Sequence, residues 1–494
     1  MRWILLLSLA CVAQSQKFRP EIRKIWDDRT MEALEVPLAS GLKPKHVPAD
    51  YYYKIPERKV WKSYPIYPPG REPAGYFEHL KTLEPELAFD VSKLKTKEDW
   101  IRAGEEVFHS ANAFTPTTFP FTEVRNPEWW KATEAKLAKD GTLPYYRYVI
   151  RKKGTVEVSF DSCASCHSRV MDDGQVIWGA AGSIAFGKHW AYQIRKDSKP
   201  TEPAAGLLKL FFGAPWIRPD PLAEFASMTM EDVAAHLASI PHGVGARQGT
   251  SLRAPAHPPD LIGIADRKYL DNTGLQLHRT IEDLMRYAAI NGFVDELTLY
   301  GDFRPISIIH SSKPDELPPP DTELRSSDAH LYALALYIYS LKPPKNPNLK
   351  DARAKLGKKV FASQGCPVCH PAPLYTNNKL TPAKGFKVPA EHRKIYDVLD
   401  VPVGTDPELA MKTRRGTGYY RVPSLKGVWY RGPFEHSGSV ATLEDWFDEN
   451  RLKPDYVPTG YRGMTPKRAV TGHEFGLRLK PEDKAALIAF LKTL

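Results

Sequence analysis

The alternation of polar and apolar positions repeats in two parts of the chain. Residues 328–341 (DAHLYALALYIYSL) and 482–494 (EDKAALIAFLKTL) both start on acidic residues, carry apolar side chains at helical spacing and close on Ser or Thr followed by Leu. Each predicts an amphipathic helix. A second matched pair lies upstream: AGEEVF at 103–108 and LGKKVF at 356–361, the latter ending a helical pattern that begins near Asp351. The order is the same in both halves, which unrelated helices would not explain. Gly104 and Gly357 stand at equivalent places, as expected where a leading and a closing helix cross closely. Residues 145–150 and 155–160 are rich in β-branched and aromatic residues and flank Lys152-Lys153-Gly154, which predicts a hairpin. Residues 17–95 read as an extended arm fastened by aromatics, with Tyr51-Tyr52-Tyr53, Tyr64-Pro65 and Tyr67-Pro68-Pro69-Gly70. Pro343, Pro344 and Pro347 mark a link between the halves.

Between the paired helices sit Cys163-Ala164-Ser165-Cys166-His167 and Cys366-Pro367-Val368-Cys369-His370, which use every cysteine except Cys11. C-x-x-C-H is the haem c attachment signature: two thiols add to the vinyl groups and the histidine ligates the iron. Zinc would need a second pair of N or S ligands at finger spacing, and neither segment offers one. A redox dithiol explains one C-x-x-C but not a histidine after both. Disulfides joining the two segments are the remaining alternative in an exported chain. The reading is two covalent haem c groups, on Cys163, Cys166, Cys366 and Cys369, with His167 and His370 as proximal ligands. Phe108 precedes Cys163 by 55 residues, whereas Phe361 precedes Cys366 by five. The first unit therefore carries an insertion, 109–162.

Met1-Arg2, an apolar run from Trp3 and small residues near Ala13 and Ser15 read as a secretory signal peptide over 1–16, hence a periplasmic protein. Ser8-Leu9-Ala10-Cys11 lacks the leucine usual three residues before an acylated cysteine, so loss of Cys11 with the leader is preferred to lipid anchoring. No later stretch has the apolar length of a transmembrane anchor. The 494 residues, 42% of them hydrophobic, suffice for two or three cores, and 44 prolines predict long ordered loops. The formal charge is +11. The leader takes one positive charge and four haem propionates offset four more, leaving a mildly basic surface without the interleaved basic and aromatic pattern of nucleic-acid binding.

From Thr417 the chain reads TGYYRVPSLKGVWYRGPFEHSGSVATLED. This resembles the segment after the second haem in bacterial di-haem cytochrome c peroxidases and the related methylamine-utilisation-type proteins, a superfamily that includes di-haem rubber oxygenases. The resemblance is specific over 351–494, weaker over 96–341, where it rests on the haem turn, Asp173-Gly174 and the closing helix, and absent from 17–95. It implies a mainly α fold: two cytochrome c-type haem domains with long loops (96–345 and 346–494), a small β-hairpin insertion in the first and an extended N-terminal arm. It implies that one haem relays electrons from a redox partner protein while the other activates peroxide or oxygen. It also implies calcium between the domains, which maps to no residues of this sequence.

Family peroxidases place a distal methionine in a Pro-Tyr-Met-His-Asp-Gly turn. Here that turn is Pro433-Phe434-Glu435-His436-Ser437-Gly438, and Glu435 stands at the methionine's place. A high-potential His/Met relay haem is thereby put in doubt. Among other distal ligands His473 is favoured, ahead of Met464 and His436, with an open or Glu-bound iron as the alternative; Arg431 and His436 are also candidates for propionate contacts. For the first haem, His189, 22 residues after His167, is the natural distal candidate, and an open iron the alternative. His257, His278 and Arg286 offer a base and a cation, though core packing and surface charge are the preferred explanation of them. The functional expectation is an exported di-haem electron-transfer protein with peroxide reduction or oxygen activation at the first haem; a pure electron carrier and an oxygenase acting on an organic substrate compete with it.

Overall fold

The computed structural model describes residues 18–110, 123–159, 161–293, 295–322, 324–401 and 403–494. The leader, Cys11 and residues 111–122 and 160 of the insertion lie outside them. The fold is mainly α, with small sheets.

The elements that position the cysteine turns are, in chain order, β1 (Ser63–Tyr64), α1 (Lys97–His109), β2 (Arg147–Lys152), β3 (Thr155–Ser159), α2 (Cys163–Cys166), α3 (Phe186–Asp197), α4 (Met230–Ser239), α5 (Ile281–Gly292), α6 (Asp328–Ser340), α7 (Ala352–Ser363), β4 (Leu380–Pro382), β5 (Tyr419–Arg421) and α8 (Pro481–Lys492).

The chain builds the same helix crossing twice. In α1 a capping box fixes the start: Asp99 N–H donates to Thr96 Oγ1 at 3.1 Å and Thr96 N–H to Asp99 Oδ2 at 2.9 Å. Trp100, Ala103, Gly104, Val107 and Phe108 then line one buried face, and that face packs on α6. In α7, Asp351 caps by accepting from Ala354 N–H at 2.9 Å, and Ala354, Gly357, Val360 and Phe361 face α8. At both crossings the glycine is a steric requirement. A Cβ on Gly104 would lie 2.0 Å from the Ala333 carbonyl oxygen, and one on Gly357 would lie 1.8 Å from that of Ala486. The backbones touch where a side chain would otherwise stand.

The hairpin β2–β3 pairs Arg147 with Ser159 and Val149 with Glu157, with a register shift before Lys152. It gains a third strand from the arm, since Ser63 in β1 pairs with Val149. Strand pairing therefore supplements the aromatic fastening expected for 17–95. Trp26 stacks on Tyr52 with centroids 4.1 Å apart, Trp26 Nε1 donates to Val47 O at 2.9 Å, and Phe293 meets Tyr52 edge-on. The arm closes over the core around α5 and α6.

Candidate functional site

At the second cysteine turn, Gly365 (φ 72°) ends α7 and opens a 3-10 turn over Cys366–Val368, after which His370 N–H returns to Cys366 O at 2.9 Å. The turn directs His370 inward. Its Nδ1 lies 3.1 Å from Tyr375 O, and the Pro423 carbonyl also faces the ring. A carbonyl can only accept, so Nδ1 carries the proton and Nε2 keeps its lone pair. Burial lowers the pKa of His370, leaving the imidazole neutral, the form that binds metals.

His473 stands across from it. The two ring centroids are 6.4 Å apart with planes at 54°. Imidazoles bound to opposite sides of one metal through bonds of about 2 Å would have centroids roughly 6 Å apart. The pair therefore fits a single iron. His473 is held at φ 47° after Gly472, its N–H donates to Val403 O at 2.6 Å, and Trp446 and Phe475 flank the ring. A Cβ on Gly472 would meet Thr405 N at 2.2 Å, so only glycine admits the turn. Burial, with His370 adding, pushes the His473 pKa down to about 4, and its buried Nδ1 has no hydrogen-bond partner among the described residues. The other two distal candidates are turned elsewhere. Met464 packs on the apolar cluster of α3 and α4, and His436 stacks on Tyr420 at 4.6 Å with its Nδ1 paired to Glu435.

The first cysteine turn is α2. Ser162 and Ser165 form a capping box, and Ser165 Oγ donates to Tyr145 O at 2.9 Å, tying the turn to β2's lead-in. Gly179 N–H reaches His167 O at 2.7 Å, and a Cβ on Gly182 would lie 2.3 Å from Cys166 O. Burial pushes His167 down to about 3, with Arg247 adding. The Pro259 carbonyl faces this ring, and the buried Nδ1 has no hydrogen-bond partner among the described residues. Burial also raises both thiols, Cys163 and Cys166, to about 11. All four described cysteines are unpaired.

His189 is buried, with its Nε2 unpartnered among the described residues. Its Nδ1 meets Tyr146 OH at 2.7 Å and its ring lies edge-on to Trp129 at 5.0 Å; it makes no ring contact with His167 among the described residues. Of the middle-segment candidates, His278 is spent on Arg267 O at 2.8 Å and Tyr339 OH at 2.7 Å. Arg286 holds Ile25 O and Asp283 and so fastens the arm. His257 does join the first site. Burial, then Arg169, Arg431 and His167, pushes it down to about 3, and its buried Nε2 has no partner among the described residues.

The two turns are tied together by a repeat that the sequence reading missed. Pro259-Asp260-Leu261-Ile262-Gly263-Ile264 matches Pro423-Ser424-Leu425-Lys426-Gly427-Val428. Gly263 (φ 73°) and Gly427 (φ 74°) each open a 3-10 turn, and each proline presents its carbonyl to one turn's histidine. Aligning the segments that follow the two cysteine motifs would have exposed it. A buried ion pair joins the copies: Asp260 Oδ2 accepts from Arg431 Nε at 2.7 Å and Tyr430 OH at 3.0 Å, while Arg431 Nη1 donates to Ser424 O at 2.6 Å. Ser424 Oγ in turn reaches Leu374 O at 2.6 Å, beside the Tyr375 carbonyl that holds His370.

This junction is over-supplied with cations. Burial, with repulsion from neighbouring arginines, pushes Arg267 down to about 9 and Arg421 to about 10. Buried guanidiniums without matching carboxylates suit the propionates of a haem. Among the described residues no group of three or more His, Cys, Asp or Glu converges, and Asp271 and buried Asp295 are held by Arg415.

No family model matches the chain. It is 31% identical over 147 residues to an uncharacterized protein, y4iJ, of Sinorhizobium fredii, a match covering 23% of this chain and 25% of that protein. The chain thus spans a quarter of that relative's length. Among solved structures, it is similar to a MauG-like protein associated with microbial copper homeostasis, with 18% identity and a TM-score of 0.22 over 34% of this chain and 57% of that one. It is also similar to the hydrazine synthase of Kuenenia stuttgartiensis, with 14% identity and a TM-score of 0.30 over 62% and 92%. Likenesses this weak carry no functional weight. Among the described residues no helix is long and apolar enough to cross a membrane.

Proposed function

We propose that the protein is an exported di-haem c-type cytochrome of two cytochrome c-like domains, in which a haem on Cys366 and Cys369 relays electrons to a second haem on Cys163 and Cys166. The observation that carries this is the duplicated histidine environment: each C-x-x-C-H turn buries a neutral imidazole facing a Pro-x-Leu-x-Gly carbonyl. When bound, haem supplies one-electron redox chemistry and, where an axial position is free, a place for peroxide or oxygen.

The chain's own residues divide the work unequally. His370 and His473 would both hold the relay haem, which would then serve electron transfer rather than ligand exchange. At the first site His167 would hold the haem, and a position left free there would make that haem the reactive one rather than a pure carrier. His257, held neutral by burial beside Arg169 and Arg431, would be the group that carries a proton at this site.

Protein produced in a host that attaches haem c tests the reading. The expected result is a mass increase of two haem groups, one low-spin iron that ignores cyanide, and one iron that binds it. Absence of covalent haem overturns the proposal, and two cyanide-inert irons overturn the reactive first site.

A further inference from the structure

Residues 352–390, which contain the second cysteine turn, hold seven cations and no acid: Arg353, Lys355, Lys358, Lys359, Lys379, Lys384 and Lys387. In a chain with 58 acidic residues among 494, such a stretch would ordinarily carry about four or five. The acids that bound the stretch are Asp351, committed to capping α7, and Glu391. All seven lack an ion pair among the described residues, and all but half-buried Lys379 are exposed. Cations elsewhere are commonly matched, as in Arg195–Glu231, Arg253–Glu224 and Lys492–Glu444. What sets 352–390 apart is the absence of any acid among its seven cations.

The two cysteine turns also differ in access. Ala164 and Ser165, inside the first, are 1% and 4% exposed, whereas Val368, inside the second, is 63% exposed, and Leu356 on α7 is 45% exposed. The loop carrying Lys379 rests on the second turn, with Asn377 N–H on Cys369 O at 2.8 Å and Asn377 Nδ2 on Val368 O at 3.1 Å. An accessible apolar spot beside unpaired lysines is the composition of a steered, transient protein interface.

We infer that the face formed by α7 and the 366–369 turn docks a small acidic electron-transfer protein, which delivers electrons to the second haem. This rests on the haem reading above. The lysines steer the approach, and Val368 and Leu356 let the surfaces close without water. A solvated basic face with no partner would not need its apolar residues beside the attachment turn.

The test uses the haem-loaded protein and its K355E/K358E/K359E variant, reduced in stopped flow by an acidic plant-type ferredoxin and, separately, by photoreduced lumiflavin, which is neutral. At low ionic strength the ferredoxin rate should fall at least tenfold in the variant and converge with wild type at high salt, while the lumiflavin rate stays within twofold. A second variant, K43E/K131E/K313E, makes the same charge change at exposed sites outside this stretch and should keep the wild-type ferredoxin rate. Equal ferredoxin rates in wild type and first variant overturn the docking face, as does an equal loss in the second variant. A preparation lacking two haem equivalents overturns instead the reading on which it rests.

Discussion

Asp260→Asn is the sharpest probe of the junction between the two sites. The carboxylate side chain is 3% exposed and that of Arg431 14%. Oδ2 accepts from Arg431 and Tyr430, and Oδ1 from Ile262 N–H at 2.7 Å. The amide keeps the shape but removes the charge, and one of its two ends must present N–H groups to existing donors. Breaking a buried pair by removing one partner costs about 3–5 kcal/mol, because the other charge stays buried. Arg431 retains Ser424 O, so the lower end, about 3 kcal/mol, is expected. Unfolding in urea, followed by the absorption of both haems and by circular dichroism, measures it. Combining Asp260→Asn with Arg431→Met removes the stranded charge, and the double variant should recover most of the loss. A cost below about 1 kcal/mol, or strict additivity of the two substitutions, would refute the assignment of Asp260 and Arg431 as one coupled unit.

His473→Ala should abolish the bis-imidazole signature in the electron paramagnetic resonance of the second haem and leave the first unchanged; an unaltered spectrum removes His473 from the iron. Gly357→Ala puts a methyl 1.8 Å from Ala486 O and 2.8 Å from Phe490 Cβ, so α7 and α8 must part, at a cost of about 3 kcal/mol readable as a lowered unfolding midpoint. Burial pushes His109 down to about 3 and His330 to about 4, against 6.5 when unfolded. Between those values the unfolded chain binds protons that the folded chain refuses. Stability should be full above pH 6.5 and fall with pH across that window, by roughly 1.4 kcal/mol per unit for each histidine, and His109→Phe should flatten the slope measured by urea titration.

Sequence alone exposed what recurs at fixed spacing. The cysteine turns, the leading and closing helices and the two crossing glycines all follow from local pattern, and the helix bounds differ from expectation by a residue or two. What stayed hidden depends on long-range geometry. Nothing in Gly187-Lys188-His189-Trp190 reveals that His189 Nδ1 meets Tyr146 OH, because that partner lies 43 residues away along the chain. His473 was selected by its loop position, but its orientation comes from a left-handed backbone enforced by the contact of Gly472 with Thr405.

The duplicated proline loops also explain why the halves are not interchangeable. At the position of Asp260 the second copy has Ser424, and at that of His257 it has Arg421. The first copy thus supplies the carboxylate, the second the arginine that reaches it, and the pair forms only between copies. The first copy also carries the neutral histidine beside the buried turn, while the second sits with the exposed, acid-free one. Duplication followed by these few exchanges yields one site accessible to a partner and one shielded from it. The electron path proposed above, inward from Cys366–Cys369, draws on that asymmetry, because the second turn is open to solvent at Val368 while Ala164 and Ser165 of the first are buried.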